Sequence, residues 1–362
     1  MRSIVRRQVL EIKPYIPGKP IEEVKRELRI KDVIKLASNE NPYGPSPGVL
    51  KAIAKEAKNL NRYPDGGCFH LRKALSKRLK VNENQLVFGN GSDEIIVMAT
   101  KAFLGEGDEV IVAKPSFLIY DIASRLSGAR VVEVPLDHFR YDLKRMKNAV
   151  TDRTRIIFIG NPDNPAGTYV TKDQLEEFLK EIPKNILVFV DEAYYEFAST
   201  RKGYPDSLKY IPRYENLLVA RTFSKMYGLA GLRIGYGIGQ ESLVDLLNRV
   251  REPFNVNSLA QVAALACLND QAYYGKIAKK LEKERIYLYG SLKRMKAKYL
   301  ESATNFILID VQKDGSQVSK ALLKKGVIVR DMAFWGLKNF IRVTIGKTEE
   351  NRKFIKALKE VL

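Results

Sequence analysis

Cysteine and histidine are both scarce in this 362-residue chain, with two of each. Cys68 and Cys267 cannot build a disulfide framework or a zinc cluster, and two lone cysteines fit a reduced, cytoplasmic protein. His70 and His138 leave a histidine-based mechanism or metal site poorly supplied. Long apolar runs are missing too. The opening "MRSIVRRQVLEIKPYIPG" has early arginines, but charges break up its apolar residues. It lacks the apolar centre of a signal peptide, and no stretch approaches a membrane span. There is no low-complexity segment and no repeat of fixed period. Acidic residues are outnumbered, 42 against 62 lysines and arginines, for a formal charge of +20.

That charge is concentrated. Residues 51–80 and 271–300 each carry nine lysines and arginines against two carboxylates, and so supply +14 of the +20. Both windows have helical spacing of apolar residues (Ile277, Leu281, Leu288 and Leu292 in the second), which reads as two solvated helix faces. A nucleic-acid footprint would want interleaved aromatics or a recognition motif, and neither a helix-turn-helix nor a zinc pattern is present. A positive field that steers an anionic substrate is compatible with the same charge.

With 45% hydrophobic and 29% charged residues the composition is that of a globular protein, long enough for one large domain and a smaller one. From about residue 86, short β-branched runs alternate with helical patterns: "QLVFGN", "EVIVAKP", "RVVEVPL", "RIIFIGNP", "ILVFVDEAY", "NLLVARTFS" and "RIGYGIG". Most are apolar on both faces and bounded by Gly, Pro or Asp, as in a mostly parallel sheet covered by helices. After "PFNVNSLAQ" the pattern changes to a long basic helix and the strands "NFILIDV", "GVIVRDM" and "NFIRVTIG". The expected architecture is α/β. A large domain over 41–268 holds the central sheet, a smaller α+β domain covers 269–362, and residues 1–40 form an arm that contributes to the small domain.

Polar residues collect where the strands of the large domain end. Asn161 and Asn164 follow "RIIFIG", Asp191 and Tyr194 follow "ILVFV", and Ser224 and Lys225 follow "NLLVARTF". In open α/β sheets ligands bind in the crevice at these carboxyl ends. Asp191, after so apolar a run, is costly to bury unless a cation pairs with it, and a protonated ring nitrogen would serve. Tyr194 can point a phenol at the same ring. "GNPDNPAGTYV" is a turn whose asparagines can present amides to the crevice. In "GNGSDEII", Ser92 or Asp93 can cap the following helix, whose start is a ready anion site. Ser224 and Arg233 can add donors, Arg through a planar fork. Lys225, desolvated in such a crevice, would have a lowered pKa and could form a Schiff base. These are the parts needed to hold pyridoxal 5′-phosphate: an amine, a carboxylate for the pyridine nitrogen, a phenol and amide for the ring hydroxyl, and a phosphate cup.

The chain resembles the fold-type I pyridoxal-phosphate-dependent aminotransferases, and within them the histidinol-phosphate aminotransferases. The likeness runs nearly end to end, through "EIKPYIPGKP", "LASNENPYGPSP", "RYPDGG", "GNGSDEII", "NPDNPAGT", "VDEAYYEF", "RTFSKMYGLAGLRIGY", "REPFNVN", "NFIL", "VIVRDM" and "FIRVTIG". No tetrapeptide among them is specific; their order and spacing are. The resemblance implies Lys225 as the Schiff-base lysine and proton carrier, and Asp191 as the partner of the pyridine nitrogen. Tyr194 and Asn164 would bind the ring hydroxyl, and Phe117 would stack on the ring. Gly91, Ser92, Asp93, Thr222, Ser224 and Arg233 would form or flank the phosphate cup. Tyr63 would reach the cofactor phosphate of a neighbouring subunit, which implies a homodimer with shared sites. Arg342 would take the substrate's anion, with Arg330 and Tyr15 as further phosphate ligands and Asn39 near the substrate.

Two departures stand out. Asp163 and Ala166 occupy positions where the commoner pattern is "NPNNPTGT", so hydrogen bonding in that loop should differ, and Phe117 replaces a frequent tyrosine. Two arginines fit a phosphate dianion better than one carboxylate, since a buried arginine without a counterion is destabilising. That favours transamination between histidinol phosphate and 2-oxoglutarate, giving imidazole acetol phosphate and glutamate. An aromatic amino acid aminotransferase and a threonine-phosphate decarboxylase are the competing readings. A regulator built on the same fold would carry an additional DNA-binding domain. The motif "LASNENPYGPSP" already starts at Leu36, so none is expected.

Overall fold

The computed structural model describes residues 4–12, 14 and 18–362. Its strands fall into two sheets. The larger contains β2 (Leu86–Gly89), β3 (Glu109–Lys114), β4 (Arg130–Pro135), β5 (Thr154–Gly160), β6 (Leu187–Asp191), β7 (Leu217–Thr222) and β8 (Gly235–Ile238), in the spatial order β2-β8-β7-β6-β5-β3-β4. The pairings from β7 to β4 are parallel. Only β8 runs against its neighbours, antiparallel to both β7 and β2. These are the seven apolar runs picked out in the sequence.

Alternation within the runs explains why they form a covered sheet. Ile156 and Phe158 of β5, Leu187 and Phe189 of β6, and Leu218 and Ala220 of β7 pack to one side, with helices Ser92–Phe103, Leu118–Leu126 and Glu241–Val250. Ile157, Ile159, Val188, Val190, Leu217 and Val219 pack to the other, with helices that include Lys172–Glu181 and Ser258–Asn269. Phe158 and Phe189 are fully buried and stand 5.0 Å apart, and each such burial contributes roughly 1.5–3 kcal/mol. β4 lies at the edge of the sheet and is largely exposed.

The smaller sheet holds β1 (Ile34–Leu36), β9 (Lys298–Tyr299), β10 (Phe306–Asp310), β11 (Val327–Asp331) and β12 (Phe340–Thr344), in the order β1-β11-β12-β10-β9. β1 pairs parallel with β11, Ile34 opposite Val327, and the remaining pairings are antiparallel. Helix Gln271–Arg294 buries Ile277, Leu281, Leu288 and Leu292 and turns Lys276, Lys279, Lys280 and Lys283 to solvent. The basic window at 271–300 is thus mostly a solvated helix face, with Arg285 turned inward and donating to the Thr304 carbonyl. Among the described residues no helix is long and apolar enough to cross a membrane.

Candidate active site

A crevice with a cavity of about 350 Å³ opens at the carboxyl ends of β5, β6 and β7, neighbours in the sheet. Asn164, Asp191, Tyr194, Thr222, Ser224 and Lys225 line it from the strand ends, and Ser92, Asp93, Phe117 and Arg233 close it. These ten residues, singled out in the sequence, meet in one place because parallel strands all deliver their following loops to one edge.

Asp191 ends β6 at the cavity floor and is buried. One oxygen accepts the Tyr120 hydroxyl at 2.8 Å, and the other accepts the Ala193 backbone N–H at 3.0 Å. Burial pushes its carboxyl up to about 6 in spite of these donors. It does not cap the next helix, Tyr195–Ala198, which begins after Tyr194. Tyr194 is buried, its hydroxyl accepts from Asn39 Nδ2 at 2.8 Å, and burial raises its phenol to about 12. Lys225 lies with Nζ 5.6 Å from the centre of the Tyr194 ring. Burial lowers its ammonium to about 8, assisted by the guanidiniums of Arg342 and Arg233 and opposed by Asp93 and Glu40.

A helix start and a guanidinium also border the cavity. Helix Ser92–Phe103 starts after Gly91, whose φ of +83° suits glycine. A Cβ on Gly91 would run into Arg233 Nη2, so the guanidinium lies against bare backbone. Arg233 donates to the Asp93 carboxylate at 3.1 Å and to the Ser224 hydroxyl at 3.4 Å, and Thr222 bonds Ser224 at 3.0 Å. Neither Ser92 nor Asp93 caps the helix, contrary to the sequence reading. Gly91 holds the cap position, and Arg233 draws the Asp93 carboxylate to itself.

The loop after β5 also differs from expectation. Asn161 does not present its amide to the crevice. Its side-chain oxygen accepts the Val170 N–H at 2.9 Å, which closes the loop internally. Asp163, one of the two departures, is fully buried and gathers donors: Ser116 at 3.1 Å, Tyr141 at 3.3 Å and the Ala166 N–H at 3.0 Å. Asn164 accepts from Arg342 Nη1, while Arg342 Nη2 donates to the Ala37 carbonyl at 3.1 Å.

Arg330 and Arg342 face each other in register on β11 and β12, and neither borders the cavity directly. Asn39 is also set back, with a left-handed backbone (φ 57°), where it joins Tyr194 to Thr344 of β12. Tyr63 lies outside the crevice altogether. It is 83% exposed and stacks on Phe254 at 4.8 Å. Tyr15 falls outside the described residues. Ser38, Glu40 and Tyr120 line the cavity and were not anticipated. Tyr120 had a usable signal, since it lies in the first turn of helix Leu118–Leu126, three residues after its N-cap Phe117.

The site fits the cofactor inferred from the sequence. Asp191 is a buried carboxylate with one donor on each oxygen, which leaves room for a cationic N–H. The volume lies within the range of small-molecule sites, about 300–1,000 Å³. A desolvated amine, Lys225, lines the same cavity as the carboxylate and Arg233.

Comparison with known proteins agrees with the geometry. The family described as "Aminotransferase class I and II" matches residues 31–358. The chain is 48% identical over 358 residues to a histidinol-phosphate aminotransferase of Moorella thermoacetica, covering 99% of this chain and 92% of that protein. It is 48% identical over the same length to one of Caldicellulosiruptor saccharolyticus, covering 99% of each. Among solved structures it superposes on the histidinol-phosphate aminotransferase of Sinorhizobium meliloti in complex with pyridoxal-5′-phosphate. That match has a TM-score of 0.91 and 27% identity, and covers 99% of this chain and 97% of that one.

Proposed function

The chain belongs to the class I and II aminotransferases, among the histidinol-phosphate aminotransferases, and on that premise we propose its reaction and the duties of its residues. It transaminates L-histidinol phosphate with 2-oxoglutarate, giving imidazole acetol phosphate and glutamate, and uses pyridoxal 5′-phosphate. The bound cofactor supplies an electron sink that acidifies the substrate's Cα–H.

The observation that carries this reading is the meeting of Lys225, Asp191, Ser92, Ser224 and Arg233 in one cavity. Asp191 holds the ring nitrogen protonated, because a buried carboxylate is stabilised by a cation. Tyr194 and Asn164 hold the ring oxygen, and Phe117 covers the ring face. Gly91, Ser92, Thr222, Ser224 and Arg233 bind the phosphate, with Asp93 orienting Arg233. Lys225 anchors the cofactor and moves the proton at the substrate's Cα. An amine lowered to about 8 accepts and returns a proton near neutral pH. Arg342, Arg330 and Tyr15 receive the substrate's anion, beside Asn39.

The enzyme acts as a cytoplasmic homodimer, with Tyr63 of each subunit reaching the other's cofactor phosphate. An exposed apolar face supports this: Leu50, Leu60, Tyr63, Phe69 and Phe254 are 47–83% exposed. The two free, buried cysteines suit a reducing compartment. Two measurements test the reading. kcat/KM for histidinol phosphate should exceed that for phenylalanine and for threonine phosphate, with 2-oxoglutarate present; a preference for phenylalanine would refute the substrate assignment. Mixing inactive Tyr63→Ala and Lys225→Ala proteins should regenerate activity through hybrid dimers; no recovery would refute shared sites.

A further inference from the structure

The chain has a single tryptophan, Trp335, and it sits where the two sheets meet. It ends a short 3-10 turn, Ala333–Trp335, just after β11, and Gly336 in left-handed conformation closes that turn. Asp331 shapes the turn by accepting the Ala333 N–H at 2.9 Å and the Ser316 hydroxyl at 2.6 Å. The indole is buried in a small cluster with Leu308 and Met332, and Leu118 and Phe139 pack on the cluster from the side of the larger sheet.

Two contacts of the indole point toward different parts of the active site. At its edge, Nε1–H donates to the Ser116 carbonyl at 3.1 Å, in a buried bond. Ser116 precedes Phe117, a wall of the cavity, and its hydroxyl bonds Asp163, the residue before Asn164. On its face, the ring lies 4.9 Å from the guanidinium carbon of Arg330, which stands opposite Arg342. A rigid ring with a guanidinium on its face and a peptide at its edge fixes one relative to the other. Any large apolar side chain would fill the cluster, but the Ser116 bond needs a donor on the ring edge.

We propose that Trp335 is a positioning residue that couples the substrate's far anion, held at Arg330, to the peptide that carries Phe117. The proposal rests on the assignment of Arg330 to that anion. Substrates with a distal anion draw on the coupling, and substrates without one do not, so Trp335 contributes to specificity.

Three holoenzymes test it: wild type, Trp335→Phe and Arg330→Ala, each assayed with histidinol phosphate and with phenylalanine. Trp335→Phe keeps a ring beside Arg330 and loses the N–H. Its ratio of kcat/KM for histidinol phosphate over phenylalanine should fall about fivefold, the net worth of one hydrogen bond. The fall should appear in kcat, whereas Arg330→Ala should raise KM. A second readout needs no turnover and no variant, provided it is taken on holoenzyme in the pyridoxamine phosphate form, which cannot accept an amino group from either compound. Because Trp335 is the only tryptophan, its selectively excited fluorescence should change saturably with histidinol phosphate and stay flat with phenylalanine. An unchanged ratio in Trp335→Phe, or an emission that ignores histidinol phosphate, overturns the coupling. A ratio that collapses in Arg330→Ala but holds in Trp335→Phe overturns the coupling alone. A ratio untouched by Arg330→Ala overturns the assignment of Arg330 beneath it.

Discussion

The floor of the crevice belongs to the larger sheet, while the arginine rim, Arg330 and Arg342, belongs to the smaller one and lies beyond the cavity's own lining. On the floor, burial brings unlike groups toward the same range: Lys225 comes down to about 8 and Asp191 goes up to about 6. On the rim, two guanidiniums, Arg330 and Arg342, stand opposite each other in register. Under the proposed roles, the groups that move protons are the ones whose charge burial makes easiest to change. The two regions are also in electrical contact. After burial, Arg342 is the largest influence lowering Lys225.

The largest expected effect is on the floor. Lys225→Ala should lower kcat by about 10⁴-fold or more, the upper reach of positioned acid–base catalysis, with circular dichroism and Tm unchanged. On the rim, Arg342→Ala should cost about 10²-fold in kcat/KM for histidinol phosphate, as loss of a charge-assisted hydrogen bond does. The same variant probes the contact between the regions. Uptake of cofactor by the apoprotein should rise with pH as Lys225 loses its proton, with a midpoint near 8. Arg342→Ala removes a positive neighbour and should move that midpoint upward. A fixed midpoint would mean that rim and floor are electrically independent.

Smaller effects sharpen the picture of the floor. Tyr120→Phe deletes one donor to Asp191 and should lower kcat about fivefold, with the Asp191 carboxyl rising further. Asp163 gives a stability test. Burial raises its carboxyl from 3.8 to about 7, so the folded chain keeps a proton that the unfolded chain has released. Its contribution is complete below its unfolded pKa and is lost as pH rises through about 7. In Asp163→Asn the fall in Tm between about pH 5 and pH 8 should therefore be smaller, by about 2–4 °C.

Much of the floor was legible in the sequence because it follows a local rule. An apolar run followed at once by Asp191, Asn164 or Lys225 marks a strand and its carboxyl end together, so all seven strands of the larger sheet could be read. What escaped depends on contacts across long separations. Asn161 turns inward because Val170 needs an acceptor, and Gly91 takes the cap position because Arg233 occupies the space beside it. Arg330 and Arg342 carried meaning only through family resemblance. Their strand pattern is ordinary, and their register becomes apparent only when β11 and β12 pair. Trp335 gave no signal, since its role depends on Ser116, 219 residues away.

The parallel pairing of β1 with β11 has a consequence for biosynthesis. Ile34 emerges from the ribosome early, yet its partner Val327 is translated some 290 residues later. At roughly 5–20 residues per second that is about 15–60 s. Meanwhile β2 to β8 are all complete by Ile238, and the helices Glu241–Val250 and Ser258–Asn269 that cover them by Asn269. All strands and covering helices of the larger sheet have therefore been made while β1 still lacks its partner β11. The arginine rim, Arg330 and Arg342, can come into place only after the last third of the chain has been made.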